Sequence, residues 1–232
     1  MSGRVVGVLG GMGPAATWDF CRRLTTATPA TRDQDHLRVL VDADPAVPDR
    51  NAAIAGRGPS PGPRLAVMAR GLERAGAELL CMPCNAAHAF ADAVRDATVV
   101  PFVDMVEATV EATLARAPGL ARAGLLATTA TLDAGLYERA FAARGVSVAP
   151  TPEDDRRALM EAVYAVKAGD ASPARREAMR TLAERARARG AEAIVAACTE
   201  VPLLLAEEDL DVPLVGSSQA LAEAVVRIAT RT

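Results

Sequence analysis

Two of the four cysteines in this chain stand at matching places. Cys84 ends the stretch Gly76-Ala-Glu-Leu-Leu-Cys-Met-Pro-Cys84, and Cys198 ends Gly190-Ala-Glu-Ala-Ile-Val-Ala-Ala-Cys198. A thiolate is a nucleophile, a metal ligand or a base. Metal spacing is poor. Cys81-Met-Pro-Cys84 is a C-x-x-C, but Cys81 falls inside an apolar run, and His36 and His88 offer no paired ligand set. A thioredoxin-like C-x-x-C opens a helix, whereas this one ends a strand, so a redox pair is also disfavoured. No metal is expected. Cys21 falls on the first helix and reads as a small buried side chain. Lys167 is singular, because every other basic residue of the 26 is arginine.

The elements that must hold these groups follow from the apolar pattern. Short Val/Leu/Ile runs at 5–9, 37–41, 78–82, 123–127, 194–197 and 213–215 alternate with stretches of helical period at 64–75, 103–116, 174–189 and 219–229. Strands that are apolar throughout belong in a parallel sheet covered on both faces, so the fold class is α/β. The repeat around the cysteines extends further. Val100-Pro-Phe-Val follows Cys84 as Val212-Pro-Leu-Val follows Cys198, and Gly7-Val-Leu-Gly precedes one as Gly124-Leu-Leu-Ala precedes the other. Two pseudo-symmetric parallel-sheet α/β domains are therefore expected. One comprises 1–100 with 213–232 and carries Cys84; the other comprises 101–212 and carries Cys198. Each cysteine falls at the carboxyl end of a central strand, where open α/β sheets bind ligands. Packed face to face, such halves bring both thiols to one cleft. Two thiols on opposite sides of a ligand suit inversion of a stereocentre, in which one group removes a proton and the other delivers one to the opposite face. Strand ends lead to helix N-termini, whose free N–H groups lower a thiol pKa and hold carboxylates.

Val8-Leu-Gly-Gly-Met-Gly-Pro-Ala-Ala-Thr17, Pro45-Ala-Val-Pro-Asp-Arg50, Met82-Pro-Cys-Asn-Ala-Ala-His-Ala-Phe90, Leu126-Ala-Thr-Thr129, Val166-Lys-Ala-Gly169 and Cys198-Thr-Glu-Val-Pro202 resemble the cofactor-independent aspartate/glutamate racemases, aspartate racemases most of all. The resemblance implies two-base racemisation of an acidic amino acid, aspartate foremost, without pyridoxal phosphate or any other cofactor. It implies that Cys84 and Cys198 are catalytic. Asn85, with Ala86 and Ala87 after it, and Thr199 fall on substrate head-group positions. Arg50 and Lys167 fall on cations directed at the substrate, and Met12 and Thr128 on loops lining the cleft. A homodimer is implied as well. The chain departs from the family pattern at Ala86, where a Thr is usual, at Gly216, where an Asp is common, and at Ala130, where a Gly is typical.

Other function classes fit less well. Gly11-Met-Gly13-Pro-Ala-Ala16 matches a dinucleotide fingerprint, but the acidic residue expected about 20 positions later is absent. Related folds use similar cysteines for decarboxylation or cis–trans isomerisation of dicarboxylates. A one-base decarboxylase needs only one of the two, so both cysteines favour racemisation over it, and a non-catalytic homologue is motivated only by Ala86 and Gly216. With 26 basic against 29 acidic residues, a polybasic nucleic-acid binder is excluded. No run of about 18 apolar residues occurs, so no membrane span is expected. Four glycines and a proline interrupt the apolar stretch 5–16, which reads as strand and tight loop rather than signal peptide. A cytoplasmic protein with reduced thiols is the expectation.

Overall fold

Strand β1 (Val6–Gly10) is buried at every residue, which is why its sequence is apolar throughout rather than alternating. The computed structural model describes residues 3–231. After β1 come α1 (Pro14–Ala27), β2 (Val39–Ala43), α2 (Arg50–Ile54), α3 (Gly62–Arg74), β3 (Leu79–Cys81), α4 (Ala91–Arg95), β4 (Phe102–Val103) and α5 (Met105–Arg116). There follow β5 (Arg122–Ala127), α6 (Thr129–Asp133), α7 (Leu136–Ala142), β6 (Ser147–Val148), α8 (Glu153–Lys167), α9 (Pro173–Ala188), β7 (Ala193–Ala197), β8 (Leu214–Gly216) and α10 (Ser217–Ala229). These strands form two four-stranded parallel sheets, ordered β2-β1-β3-β4 and β6-β5-β7-β8. The order is the same in both, with β3 and β7 in equivalent places. The α/β class and the doubled architecture are as the sequence implies.

The chain divides into two units, one running to Ala108 and resuming at Ser218, the other Thr109–Ser217. The expected boundaries at 100/101 and 212/213 are displaced by the edge strands. β4 pairs with β3 (Leu80↔Phe102) and so belongs with the first unit, while β8 pairs with β7 (Ile194↔Leu214) and belongs with the second. The two Val-Pro-x-Val repeats are thus the last strand of each sheet. Only α10 returns to the first unit, packing Leu221, Val225 and Ala229 against Val6, Val8 and Leu79. The expected domain ends at residues 1, 2 and 232 lie outside the described residues. β4 and β6, two residues each, were not expected, and α5 starts at Met105 because 102–103 is taken up in the sheet.

The sequence repeat is matched bond for bond. Gly76 and Gly190 both take positive φ (94° and 90°), ending α3 and α9 and turning the chain back toward the sheet. Ala77 N–H then donates to Leu72 O at 3.0 Å and Ala191 N–H to Ala186 O at 3.2 Å. The glutamates that follow reach across to the start of the neighbouring strand: Glu78 Oε2 accepts from Val5 N–H at 2.8 Å, and Glu192 Oε2 from Ala121 N–H at 2.9 Å. Gly7 and Gly124 also serve alike. A Cβ on Gly7 would lie 2.7 Å from Leu80 Cδ2, and one on Gly124 would lie 2.8 Å from Ile194 Cδ1, so hydrogen is required at both for close packing. Each unit has its own core. In the first, one face gathers Val6, Val8, Phe20 and Cys81, and the other gathers Leu9, Leu65, Met68 and Cys84. In the second, Leu126, Leu159, Met179, Leu182 and Ile194 pack with Cys198.

Candidate functional site

Cys84 lies three residues beyond the end of β3 and is 8% exposed. Its neighbours fix the loop. His88, wholly buried, sits one turn later, where its Nδ1 meets Cys84 O at 2.9 Å and its Nε2 accepts the Met105 N–H at 3.0 Å. With Nε2 accepting, the ring proton is on Nδ1, which donates to the Cys84 carbonyl. Burial pushes the imidazole pKa down, against the opposing pull of Asp104, so the ring is held neutral. Asn85 is buried and its carbonyl accepts from His88 N–H at 3.0 Å, opening a short 3-10 turn, Ala86–Phe90. Ala86 is half-buried, whereas Ala87 is fully buried in the core beside Leu9 and Met82. The Cys81 and Cys84 side chains join different core clusters, Cys81 with Val6 and Phe20 and Cys84 with Leu9 and Leu65, which separates the two thiols of the C-x-x-C.

Met12 and Arg50 meet in the same unit. The Gly11 backbone, at φ +89°, runs so close to Asp44 that a Cβ would lie 2.3 Å from the Asp44 carbonyl carbon, and the next residue, Met12, turns its side chain into the core. Its carbonyl accepts from Arg50 Nη2 at 3.3 Å, while Nη1 donates to Pro48 O at 3.1 Å and Val47 O at 3.3 Å. A half-buried guanidinium held by carbonyl oxygens keeps its full positive charge for an anion.

Cys198 directly follows β7 and is 6% exposed. Its Sγ donates to Glu200 Oε2 at 3.0 Å, and Thr199 Oγ1 donates to the same oxygen at 2.9 Å. Lys167, the last residue of α8, places Nζ 3.7 Å from Glu200 Oε1. Burial first, then the Glu200 charge and hydrogen bond, push the Cys198 thiol well above its ordinary value, with Lys167 pulling the other way. The expected lowering by a helix N-terminus does not hold here, because the strand leads into a 3-10 turn at Val201–Leu203 and the nearest charge is a carboxylate. Thr128 caps α6, accepting from Thr131 N–H at 3.4 Å and pairing with Thr131 Oγ1 at 3.0 Å. Gly216 ends β8, and a Cβ there would meet only Pro202 Cγ, at 3.8 Å.

Residues 9–225 match the Asp/Glu/hydantoin racemase family. The chain belongs to that family. It is an isomerase of the amino-acid racemase type. An aspartate racemase of Picrophilus torridus superposes with a TM-score of 0.84 at 30% identity, over 99% of this chain and 96% of its own. An aspartate racemase homologue from Pyrococcus horikoshii shares the fold, at a TM-score of 0.81 and 22% identity, over 98% and 100%. A broad specificity amino-acid racemase of Bacillus subtilis is 26% identical over 96% of both chains.

The residues singled out in the sequence thus fall into two groups in this racemase: Met12, Arg50 and Cys84–Ala87 in one unit, and Thr128, Lys167, Cys198 and Thr199 in the other. Two residues were missed. Glu200 stands out in the sequence only as part of the Cys198–Pro202 motif, although an acidic residue two places after a strand-end cysteine is within reach of its sulfur. His88 was considered as a metal ligand, yet its spacing of four from Cys84 is the turn-closing distance it uses. Among the described residues, no group of three or more His, Cys, Asp or Glu has the geometry to hold a metal ion, and no helix is long and apolar enough to cross a membrane.

Proposed function

We propose that this racemase inverts Cα of aspartate, with Cys84 and Cys198 as its two bases and no cofactor. One sulfur, as thiolate, takes the Cα proton, and the other, as thiol, returns a proton to the opposite face; the roles exchange for the mirror-image substrate. The reaction requires both sulfurs to reach one Cα. The observation that carries the reading is the equivalence of β3 and β7 in their sheets, each followed by a buried cysteine. Asn85 and Thr199, each next to its cysteine, would hold the α-amino and α-carboxylate groups, with Ala86 and Ala87 forming the adjoining wall and Met12 and Thr128 the loops beside it. Arg50 and Lys167 would read the distal carboxylate.

The relative named an aspartate racemase supports that substrate. A broader acceptance of side chains is the second reading, favoured by the room at Gly216 and the missing hydroxyl at Ala86. It accords with the broad specificity of the Bacillus subtilis relative. The reading includes a cytoplasmic homodimer, which light scattering on purified protein and fractionation of the source cell test. The deciding experiment incubates the protein with each enantiomer of aspartate, glutamate and a neutral amino acid in D₂O. Aspartate should acquire α-deuterium and lose optical activity without added pyridoxal phosphate or metal. Exchange on none of these substrates sinks the proposal, and exchange on neutral amino acids at equal rates replaces aspartate with the broader reading.

A further inference from the structure

The thiol of Cys198 has a partner that the two-base reaction does not itself call for. Glu200 Oε2 receives both the Cys198 S–H and the Thr199 O–H, and Oε1 faces Lys167 Nζ at 3.7 Å. The Glu200 side chain is 14% exposed and that of Lys167 48%, so the carboxylate is the fixed member and the ammonium, on its four-carbon stem, the movable one. Among the described residues these two carry the charges that act on the thiol. The carboxylate disfavours a second negative charge beside it, and the ammonium offsets that effect.

We propose that Glu200 is a positioning residue that holds Cys198 as the thiol in the free enzyme, and that Lys167 sets how firmly it does so. The inference rests on the two-base reading above and adds a polarity to it. Cys84 is then the base in the favoured resting form and Cys198 the acid. A distal carboxylate that engages Lys167 draws the ammonium from Glu200, so Cys198 keeps its proton until the carbanion takes it. In that step the S–H bond breaks, the Cα–H bond forms and the electron pair stays on sulfur. The opposite enantiomer meets the other protonation form, with Cys198 as thiolate, which Glu200 opposes and Lys167 favours. Because the two enantiomers are equal in free energy, kcat/KM is the same for both in any variant, and the balance of forms appears in the separate KM values.

Two measurements on the full-length protein test this. Iodoacetamide labelling at about pH 8, below the ordinary thiol range, is followed peptide by peptide without substrate, with Cys84 as internal reference. For a thiol titrating above the assay pH, a tenfold gain in thiolate is partly offset by lower nucleophilicity, leaving a net gain of about threefold. Glu200→Gln, which keeps size and removes charge, should therefore speed Cys198 labelling about threefold or more, and Lys167→Met should slow it. Unchanged or slower labelling in Glu200→Gln overturns the proposal. In turnover, Glu200→Gln should change the ratio of KM for L-aspartate to KM for D-aspartate about threefold or more, and Glu200→Asp should return it toward the parent value. An equal loss for both enantiomers with the ratio unmoved marks a merely structural role and also overturns it. Labelling uses no substrate, so a labelling response without racemisation of any amino acid defeats the functional reading and leaves Glu200 standing.

Discussion

A two-base inversion has no spare group, so Cys84→Ala and Cys198→Ala should each bring racemisation of aspartate below detection in both directions. Near-native turnover by either variant ends the paired-thiol reading. Cys81 and Cys21 pack among Val6, Val8 and Phe20, and Cys81→Ala and Cys21→Ala should keep kcat/KM within about threefold, since they delete only a small apolar group. Arg50 and Lys167 differ in setting. Lys167 is half exposed, so water screens its charge, and Lys167→Met should lower kcat/KM for aspartate about 10- to 100-fold, the worth of one hydrogen bond to a charged group. Arg50 is half-buried and held by three carbonyls, and Arg50→Ala should cost more. Turnover of aspartate unchanged in both variants shows that neither cation reads the substrate. Ala86 is half-buried, and if the proposed head-group site includes it, Ala86→Thr should raise kcat/KM for aspartate about 2- to 10-fold, the equivalent of one neutral hydrogen bond. A flat response assigns the substitution no role in binding.

Element placement rests on close contacts that tolerate little change. Gly124→Ala puts a Cβ 2.8 Å from Ile194 Cδ1 and 2.9 Å from Ala191 Cβ, and its counterpart Gly7→Ala meets Leu80 and Ala77 in the same manner. Each should cost about 1–3 kcal/mol of unfolding free energy by urea titration, the usual penalty for overpacking. Gly216→Ala, whose Cβ would meet only Pro202 Cγ at an ordinary 3.8 Å contact, should cost far less. Helix α8, which ends in Lys167, is tied to α9 through Asp155, whose carboxylate takes Arg185 Nη1 at 2.8 Å and Arg189 Nη2 at 2.6 Å. Burial alone would raise the Asp155 pKa, but the two arginine hydrogen bonds outweigh it and hold the carboxyl below its ordinary 3.8. A lowered native pKa means that this stabilisation is present above 3.8 and is lost as the pH falls through the native value. Asp155→Ala should therefore lower stability at neutral pH by about 1–3 kcal/mol, and the gap from the parent should close in acid. A gap that stays constant down to acid pH shows that the two arginine bonds contribute nothing.

Across the whole molecule, three of the four thiols are shifted the same way. Burial pushes Cys21 and Cys81 up, and burial with Glu200 pushes Cys198 up, all from an ordinary 9.0. A raised native pKa binds the proton more tightly in the folded chain. The associated stability is complete below 9.0 and is lost as the pH rises toward the native values. Urea midpoints should hold level to about pH 8 and fall steeply above the ordinary thiol value. Cys81→Ala should flatten that fall. A midpoint independent of alkaline pH contradicts the buried thiols. Activity should follow a bell-shaped profile, since one thiol and one thiolate are needed together, and its two limbs belong to the coupled pair rather than to either cysteine.

Local pattern was enough to read the doubled α/β design, because each half repeats a glycine turn, a glutamate and an apolar strand ahead of its cysteine. The turn needs positive φ at Gly76 and Gly190, and the buried strands need continuous apolar residues, so both signals lie within a few consecutive residues. The two cysteines stand out for the same reason, at a fixed distance from such strands, whereas Lys167 stands out only as the one lysine and Arg50 only through the family resemblance. Membership of the edge strands was not. β4 has two residues and β8 three, too short for any periodicity, and only pairing with β3 and β7 decides which sheet each joins and where the two units divide. The partners of side chains were equally out of reach. That His88 ties Cys84 to the start of α5, that Arg50 is held by carbonyls, and that Glu200 accepts the hydrogen bond of the Cys198 thiol while facing Lys167 depend on groups up to 38 positions apart in the chain. A residue's type sets which bonds it is able to make, and packing alone selects the atom that receives them.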